Sequence, residues 1–339
     1  MKKQSEDDKM LKITKAILHI LDSDSDSLLC GQVELDAQDY AIRTYLESVE
    51  KRIEKLDPKV GKLDPASDIV KVLSSSELNF IEQTSEIAQL FFQLTRAIEE
   101  APSGDLLCFE AEKMEEKYFG FVKLNYKPQY THYVDYVDDK MSNNIILNKA
   151  IFPGLTQKLD EFLLISYDDF SFELVEKKYV VDGEKIDYIS EKMLQTIPTP
   201  TVTENISIMK KAIKKVADKY NEEKFVSMSN VQEAVYESIE AEGVISKELV
   251  ADKVFEDNHS AKQEYLEIME QTRFDEKAPV NVPKYEKKYR NQKLKLANGI
   301  EMSIPLDVYK NKELIEFINN PDGTISVMIK NVDEIVNKF

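Results

Sequence analysis

Apolar residues recur along this chain with two different periods, and the switches between them divide it. Over residues 11–22 apolar and polar positions partly alternate, and after a polar turn at residues 22–27 the stretch 28–35 continues in the same style. This predicts a hairpin. Between Asp39 and Lys55 the spacing becomes three and four, so that Ile42, Tyr45, Leu46, Val49 and Ile53 fall on one helical face. Asp57-Pro58 and Asp64-Pro65 punctuate a loop. A second helix is predicted over residues 76–99, with Phe80, Ile81, Ile87, Leu90, Phe91 and Leu94 as its core positions. After Ala101-Pro102-Ser103-Gly104 the period is two, and residues 106–111, 118–126, 145–151, 162–167 and 170–181 have the apolar and aromatic content of strands. Their links are too short for crossover helices, so the sheet is expected to be antiparallel. Helices packed on one face of it give an α+β amino-terminal domain, residues 1–182.

Two prolines among threonines, at residues 197–201, mark a linker. Thr201-Val202-Thr203-Glu204 is a capping-box pattern, and the helix it starts carries Ile206, Met209, Ile213, Val216 and Tyr220 as one stripe. Further helices are predicted over residues 229–240, where Ser229 and Gln232 form a second box, 246–255 and 260–272. Residues 183–280 thus read as a helical domain with short links. The tail alternates again around Asn298-Gly299, a strong hairpin signal, and turns once more at Pro321-Asp322-Gly323. A short helix is expected at residues 311–318 between them. Residues 281–339 form a small α/β unit in this reading. The whole is an α+β protein: an antiparallel sheet with packed helices, then a helical section and a small carboxy-terminal β-containing unit.

Composition sharpens this picture. A chain of 339 residues exceeds one small core. No apolar run approaches the roughly 18–20 residues of a membrane span, and residues 1–8 lack the apolar stretch of a signal peptide. A cytoplasmic protein without membrane contact is expected. Cys30 and Cys108 lie far apart in apolar segments and read as reduced thiols in the core; a disulfide would require the fold to bring them together.

Enzyme signatures are absent from the sequence: no Walker loop, dinucleotide glycine pattern, CxxC or HExxH occurs, and no cofactor is expected. His19, His132 and His259 lie in three segments, so no metal trio is expected. Asp22-Ser23-Asp24-Ser25-Asp26 resembles the start of a calcium loop. The pattern then fails, with Ser27 where glycine and Val33 where glutamate would be needed, and a solvated turn fits better. Acidic pairs such as Asp138-Asp139 and Asp168-Asp169 could hold a divalent ion for a metal-dependent nuclease, but an acidic chain shows such pairs by chance. No residue is assigned a catalytic role.

Formal net charge is −18, which repels a polyanion, so any nucleic-acid contact needs a local basic patch. Two candidates stand out. Lys210, Lys211, Lys214 and Lys215 share the helix face away from the apolar stripe. Over residues 284–295, six basic residues (Lys284, Lys287, Lys288, Arg290, Lys293, Lys295) stand against one acid, with Tyr285 and Tyr289 between them. Such a stretch can neutralise phosphates but carries no base code. Residues 225–280 hold 13 acids and 5 bases, so charge is segregated along the chain. The basic stretch could equally be a connector docked on that acidic section.

The order of elements resembles the bacterial nucleoid-associated protein family. The resemblance runs from Ile17-Leu18-His19-Ile20-Leu21-Asp22 through Gly104-Asp105-Leu106-Leu107-Cys108-Phe109 and Tyr118-Phe119-Gly120-Phe121-Val122-Lys123-Leu124. It continues in Asp187-Tyr188-Ile189, Val254-Phe255-Glu256-Asp257 and residues 294–305. It implies location in the nucleoid and association with double-stranded DNA, directly or through other nucleoid proteins. It carries over no DNA-contacting motif, so the ten basic residues above are candidates from charge alone. The expected function is non-enzymatic binding of double-stranded DNA. The alternative is a protein–protein module brought to the nucleoid by a DNA enzyme or another nucleoid protein. A homodimer would double the basic patch.

Overall fold

The computed structural model describes residues 10–22, 25–96, 98, 101–181, 183–221 and 224–336. Residues 1–8, Ser23, Asp24 and Glu99, used in the reading above, lie outside these. The described chain falls into two units, residues 1–199 and 200–339.

The amino-terminal unit comprises strands β1 (Lys12–Asp22) and β2 (Ser27–Leu29), helix α1 (Tyr40–Ile53), β3 (Lys59–Lys62), and helices α2 (Asp68–Ser74) and α3 (Phe80–Arg96). There follow β4 (Gly104–Lys113), β5 (Glu116–Asn125), β6 (Gln129–Val137), β7 (Lys140–Asn148), β8 (Glu161–Ser166), β9 (Ser171–Val175), β10 (Lys178–Val181) and β11 (Glu184–Asp187). Seven strands form one antiparallel sheet in the order β2-β1-β4-β5-β8-β9-β3. Helices cover both of its faces, which corrects the one-sided packing expected from sequence. The reason is legible in the strands: β4, β5 and β8 are apolar at consecutive positions, so neither face can be left to water. Leu46, Val49 and Ile53 of α1 pack on Leu107, Phe109, Val122 and Phe162. Ile69, Leu73, Ile87 and Phe91 of α2 and α3 pack on the other side, on Leu106, Cys108, Phe121 and Leu163.

The cysteines are free thiols, Cys108 buried and Cys30 half-buried. Cys30 follows β2 and Cys108 lies in β4, with β1 between those strands. Two strand spacings, about 9.6 Å, exceed the reach of a disulfide. Asp22 accepts hydrogen bonds from Ser25 N at 3.2 Å and Ser25 Oγ at 2.6 Å, and Asp26 pairs with Arg96 at 2.5 Å.

Two polar clusters sit inside this unit. Glu161, fully buried, accepts hydrogen bonds from Tyr179 OH at 3.0 Å and Tyr188 OH at 2.8 Å and faces the Lys123 ammonium at 3.6 Å. Lys59 reaches Glu176 at 3.2 Å and Asp187 at 3.0 Å, and Glu176 also caps the backbone N–H groups of Ile189 and Ser190. His19 of β1 is fully buried; its Nδ1 accepts from Gly31 N, and Nε2 meets no protein partner. Burial pushes its imidazole down to about 4 from 6.5. Between those values the unfolded chain binds a proton that the folded chain refuses, so stability falls as pH drops through this window. The expected loss is about 2 kcal/mol once partial solvent screening is allowed for. Chemical denaturation near pH 7 and near pH 4.5 checks it. His19→Gln is expected to remove this part of the loss, and an unchanged pH dependence in that variant would refute the assignment.

Strands β6 and β7 stand apart as a two-stranded ribbon outside the main sheet. The sequence reading placed a strand at 145–151 and none at 129–137. Asp138 and Asp139, both at positive φ (49° and 59°), form the turn between them.

The carboxy-terminal unit opens with α4 (Val202–Tyr220), started by the capping box at Thr201 and Glu204. It continues with α5 (Lys224–Glu242), α6 (Lys247–Val254), α7 (His259–Glu270) and α8 (Val282–Tyr289), then strands β12 (Asn291–Lys295) and β13 (Glu301–Pro305). Helix α9 (Leu306–Lys310) and strands β14 (Ile315–Asn319) and β15 (Ile325–Ile329) complete it. Ile206, Met209, Ile213 and Val216 pack with Val231, Val235, Phe255, Tyr265 and Tyr285 in one core. Two expectations need correcting. Ser229 does not cap a helix, because α5 begins earlier; Gln232 instead donates to Tyr289 O and Asn291 O. Residues 315–319 are strand, not helix, since pairing with β15 across the Pro321 turn overrides their helical spacing.

Candidate nucleic-acid interface

Helix α4 turns Ile206, Met209, Ile213 and Val216 inward, which leaves Lys210, Lys211, Lys214 and Lys215 exposed. Positions 210/214 and 211/215 are each about one turn, roughly 6 Å, apart along the axis.

Helix α8 meets it from the other basic stretch. Asn281 caps it by accepting from Lys284 N, and a proline opens its first turn. Tyr285 is driven into the core, its OH 3.1 Å from Thr203 Oγ1 of α4. Tyr289 stacks on Tyr285 with ring centroids 6.2 Å apart and planes 13° off parallel. The buried tyrosine fixes the rotation of α8, and Lys288 comes to lie 5.2 Å and 5.3 Å from the centroids of the two rings. Lys284 lies 5.7 Å from that of Tyr285.

This rotation brings the two basic stretches together. Lys210, Lys211, Lys214 and Lys288 line one groove of about 580 Å³, floored by Ile206, Met228 and Tyr289. A second groove of about 350 Å³ lies along the same helix, where Lys211 and Lys215 meet Thr272 and Arg273. Arg273 escaped the sequence reading, because a single arginine far along the chain gives no signal.

The remaining cations go elsewhere. Lys287 and Arg290 open into a different cavity of about 720 Å³, shared with Glu286, Asp307 and Tyr236. Lys293 and Lys295 alternate on the exposed side of β12, where Lys295 pairs with Glu301 at 3.1 Å. A run that is continuous in sequence is therefore split three ways.

Several acids of the helical section are held by other partners. Glu233 and Glu237 hold Lys253 and Lys310 at 2.7–3.1 Å. Lys219 holds Glu264 below its ordinary carboxylate value, with smaller contributions from Tyr220 and Lys215. Tyr285 of α8 is buried in the core of this section. Among the described residues, Lys210, Lys211 and Lys214 form no ion pair. Ammonium groups so placed can neutralise phosphate oxygens without reading bases.

The other chemistry considered from sequence is dispersed. His19, His132 and His259 sit in β1, β6 and α7. Asp168 and Asp169 form the β8–β9 turn, where Asp169 binds Lys62 and Ser171. Among the described residues no group of three or more His, Cys, Asp or Glu could hold a metal ion, and no helix is long and apolar enough to cross a membrane.

The profile of a family described as nucleoid-associated protein YejK matches residues 17–336. Among curated proteins none matches.

Proposed function

The chain belongs to the family of nucleoid-associated protein YejK, and from that premise we propose that it contacts double-stranded DNA directly, as a binding protein rather than an enzyme. The contact is the groove between α4 and α8, and the observation that carries this reading is the convergence of Lys210, Lys211, Lys214 and Lys288 on it. Lys215 and Arg273 extend the positive strip along α4. The net charge of −18 limits the contact to close range. Acidic surface farther than about 8 Å from the phosphates is largely screened at physiological salt, whereas lysines in contact act at full strength. The protein is thus a local, salt-sensitive DNA binder and not a general coat.

The test is the anisotropy of a labelled duplex of mixed sequence titrated with the full chain over a range of salt. Four phosphate contacts give a slope of log affinity against log salt of roughly −3 to −4. Similar affinity for unrelated sequences is expected. No retention at low salt would overturn direct contact and leave recruitment through another nucleoid protein.

A further inference from the structure

Strands β6 and β7 form an arm whose register separates its two faces. The pairs Tyr130–Leu147, His132–Ile145, Val134–Asn143 and Tyr136–Met141 project from one face. All eight residues are exposed, with Tyr130 at 78%, Ile145 at 73%, Tyr136 at 70% and Met141 at 65%. Thr131, Asp135, Ser142, Asn144 and Lys140 share the other face with Tyr133, Val137 and Ile146. One face is thus mainly apolar and free of carboxylates and ammonium groups. A lone two-stranded ribbon is marginal in water, and such a face needs a cover.

We infer that the cover is the same arm of a second copy of this chain, stacked face to face and running in the opposite direction. Self-complementarity carries the inference. Reversing one ribbon over the other sets Tyr130 on Tyr136 and Leu147 on Met141 of the second copy. The polar members, His132 and Asn143, fall on adjoining inner rungs, where imidazole and amide can bond each other. Charge fits the same arrangement. The tip carries exposed Asp138 and Asp139, and the base is flanked by exposed Lys127 and Lys149. An antiparallel stack lays each acidic tip over the other copy's basic base, while a parallel stack would oppose like charges. The six apolar side chains together approach the roughly 800 Å² per partner that a standard interface covers. This identifies the contact behind a two-fold assembly and does not depend on the DNA reading, because its test contains no DNA.

The full chain, at tens of micromolar in sedimentation equilibrium, is expected to show twice the 39.1 kDa chain mass. Ile145→Asp and Tyr136→Asp are each expected to raise the dimer dissociation constant more than tenfold. Thr131→Asp, on the opposite face, leaves it unchanged. Thermal unfolding of all three reports an intact fold, since this face belongs to neither core. Asp138→Lys with Asp139→Lys weakens the dimer, and adding Lys127→Glu with Lys149→Glu restores it. A monomeric wild-type chain, or a dimer indifferent to Ile145→Asp, would overturn the inference. Failure of the second charge swap to rescue the first would overturn the antiparallel stack.

Discussion

Glu161→Leu is expected to destabilise the amino-terminal unit by about 5 kcal/mol, enough to lower its unfolding temperature by roughly 10–20 °C. The carboxylate is fully buried and serves three groups at once, the hydroxyls of Tyr179 and Tyr188 and the ammonium of Lys123. Burial already holds Lys123 below its ordinary pKa despite the neighbouring carboxylate. Removing the acid strands an ammonium whose side chain is 1% exposed and takes the acceptor from two buried hydroxyls. Breaking one side of a buried pair costs about 3–5 kcal/mol, and an orphaned hydroxyl adds about 1–3, without strict additivity. The double variant Glu161→Leu with Lys123→Met is expected to recover about 3 kcal/mol, because the uncompensated charge is gone while the hydroxyls still lack their acceptor. Guanidinium denaturation of the three chains decides the matter. A loss below about 1 kcal/mol in the single variant would mean that water reaches the cluster.

That cluster was not visible in the sequence, and its invisibility has a physical cause. Glu161 opens β8 and Lys123 lies two residues before the end of β5, places where a charged residue ordinarily marks the edge of the buried stretch. Only the register that pairs Lys123 with Glu161, and the return of Tyr179 and Tyr188 beneath the sheet, make them partners. Elements whose pattern is repeated many times were legible. Helices α1, α3 and α4 follow their apolar stripes, and β4, β5 and β8 stand where period-two segments were expected. Short elements were not. Strand β3 has four residues between two proline turns and is defined by pairing with β9. Strand β6 has ample tyrosine and valine, but its turn of two aspartates resembles a cation-binding pair as much as a hairpin's end. The stretch 311–318 carries a helical spacing that a partner strand overrules.

The site divides along the same line. Both basic stretches were read from local charge, and the exposed face of α4 follows directly from its stripe. Their meeting was not readable, because it depends on which way α8 is rotated. One signal was available: an N-cap asparagine at 281, followed two residues on by a proline, announces a helix. A helix turns successive residues by about 100°, so a basic run cannot keep all its cations on one side. Tyr285 selects which of them face α4.

This rotation makes a prediction that charge counting alone would not. Lys210→Glu, Lys214→Glu and Lys288→Glu together are expected to weaken duplex binding on the order of 100-fold near 100 mM salt. They are also expected to reduce the log–log salt slope by about 2.7, or 0.9 for each lost phosphate contact. Lys293→Glu with Lys295→Glu reverses two cations of the more basic stretch and is expected to change affinity less than about threefold. Lys295 is already engaged by Glu301, and β12 carries both lysines away from the lining of the groove. Total charge would rank each reversal equally, so a larger loss from the hairpin pair would transfer the contact to β12 and exclude the groove. Lys210, Lys214, Lys288, Lys293 and Lys295 are all exposed, and unfolding temperatures near that of the wild-type chain separate lost binding from lost structure. The placement of the charge then matters more than its amount, because an acidic protein can hold a polyanion only where several of its cations share one groove.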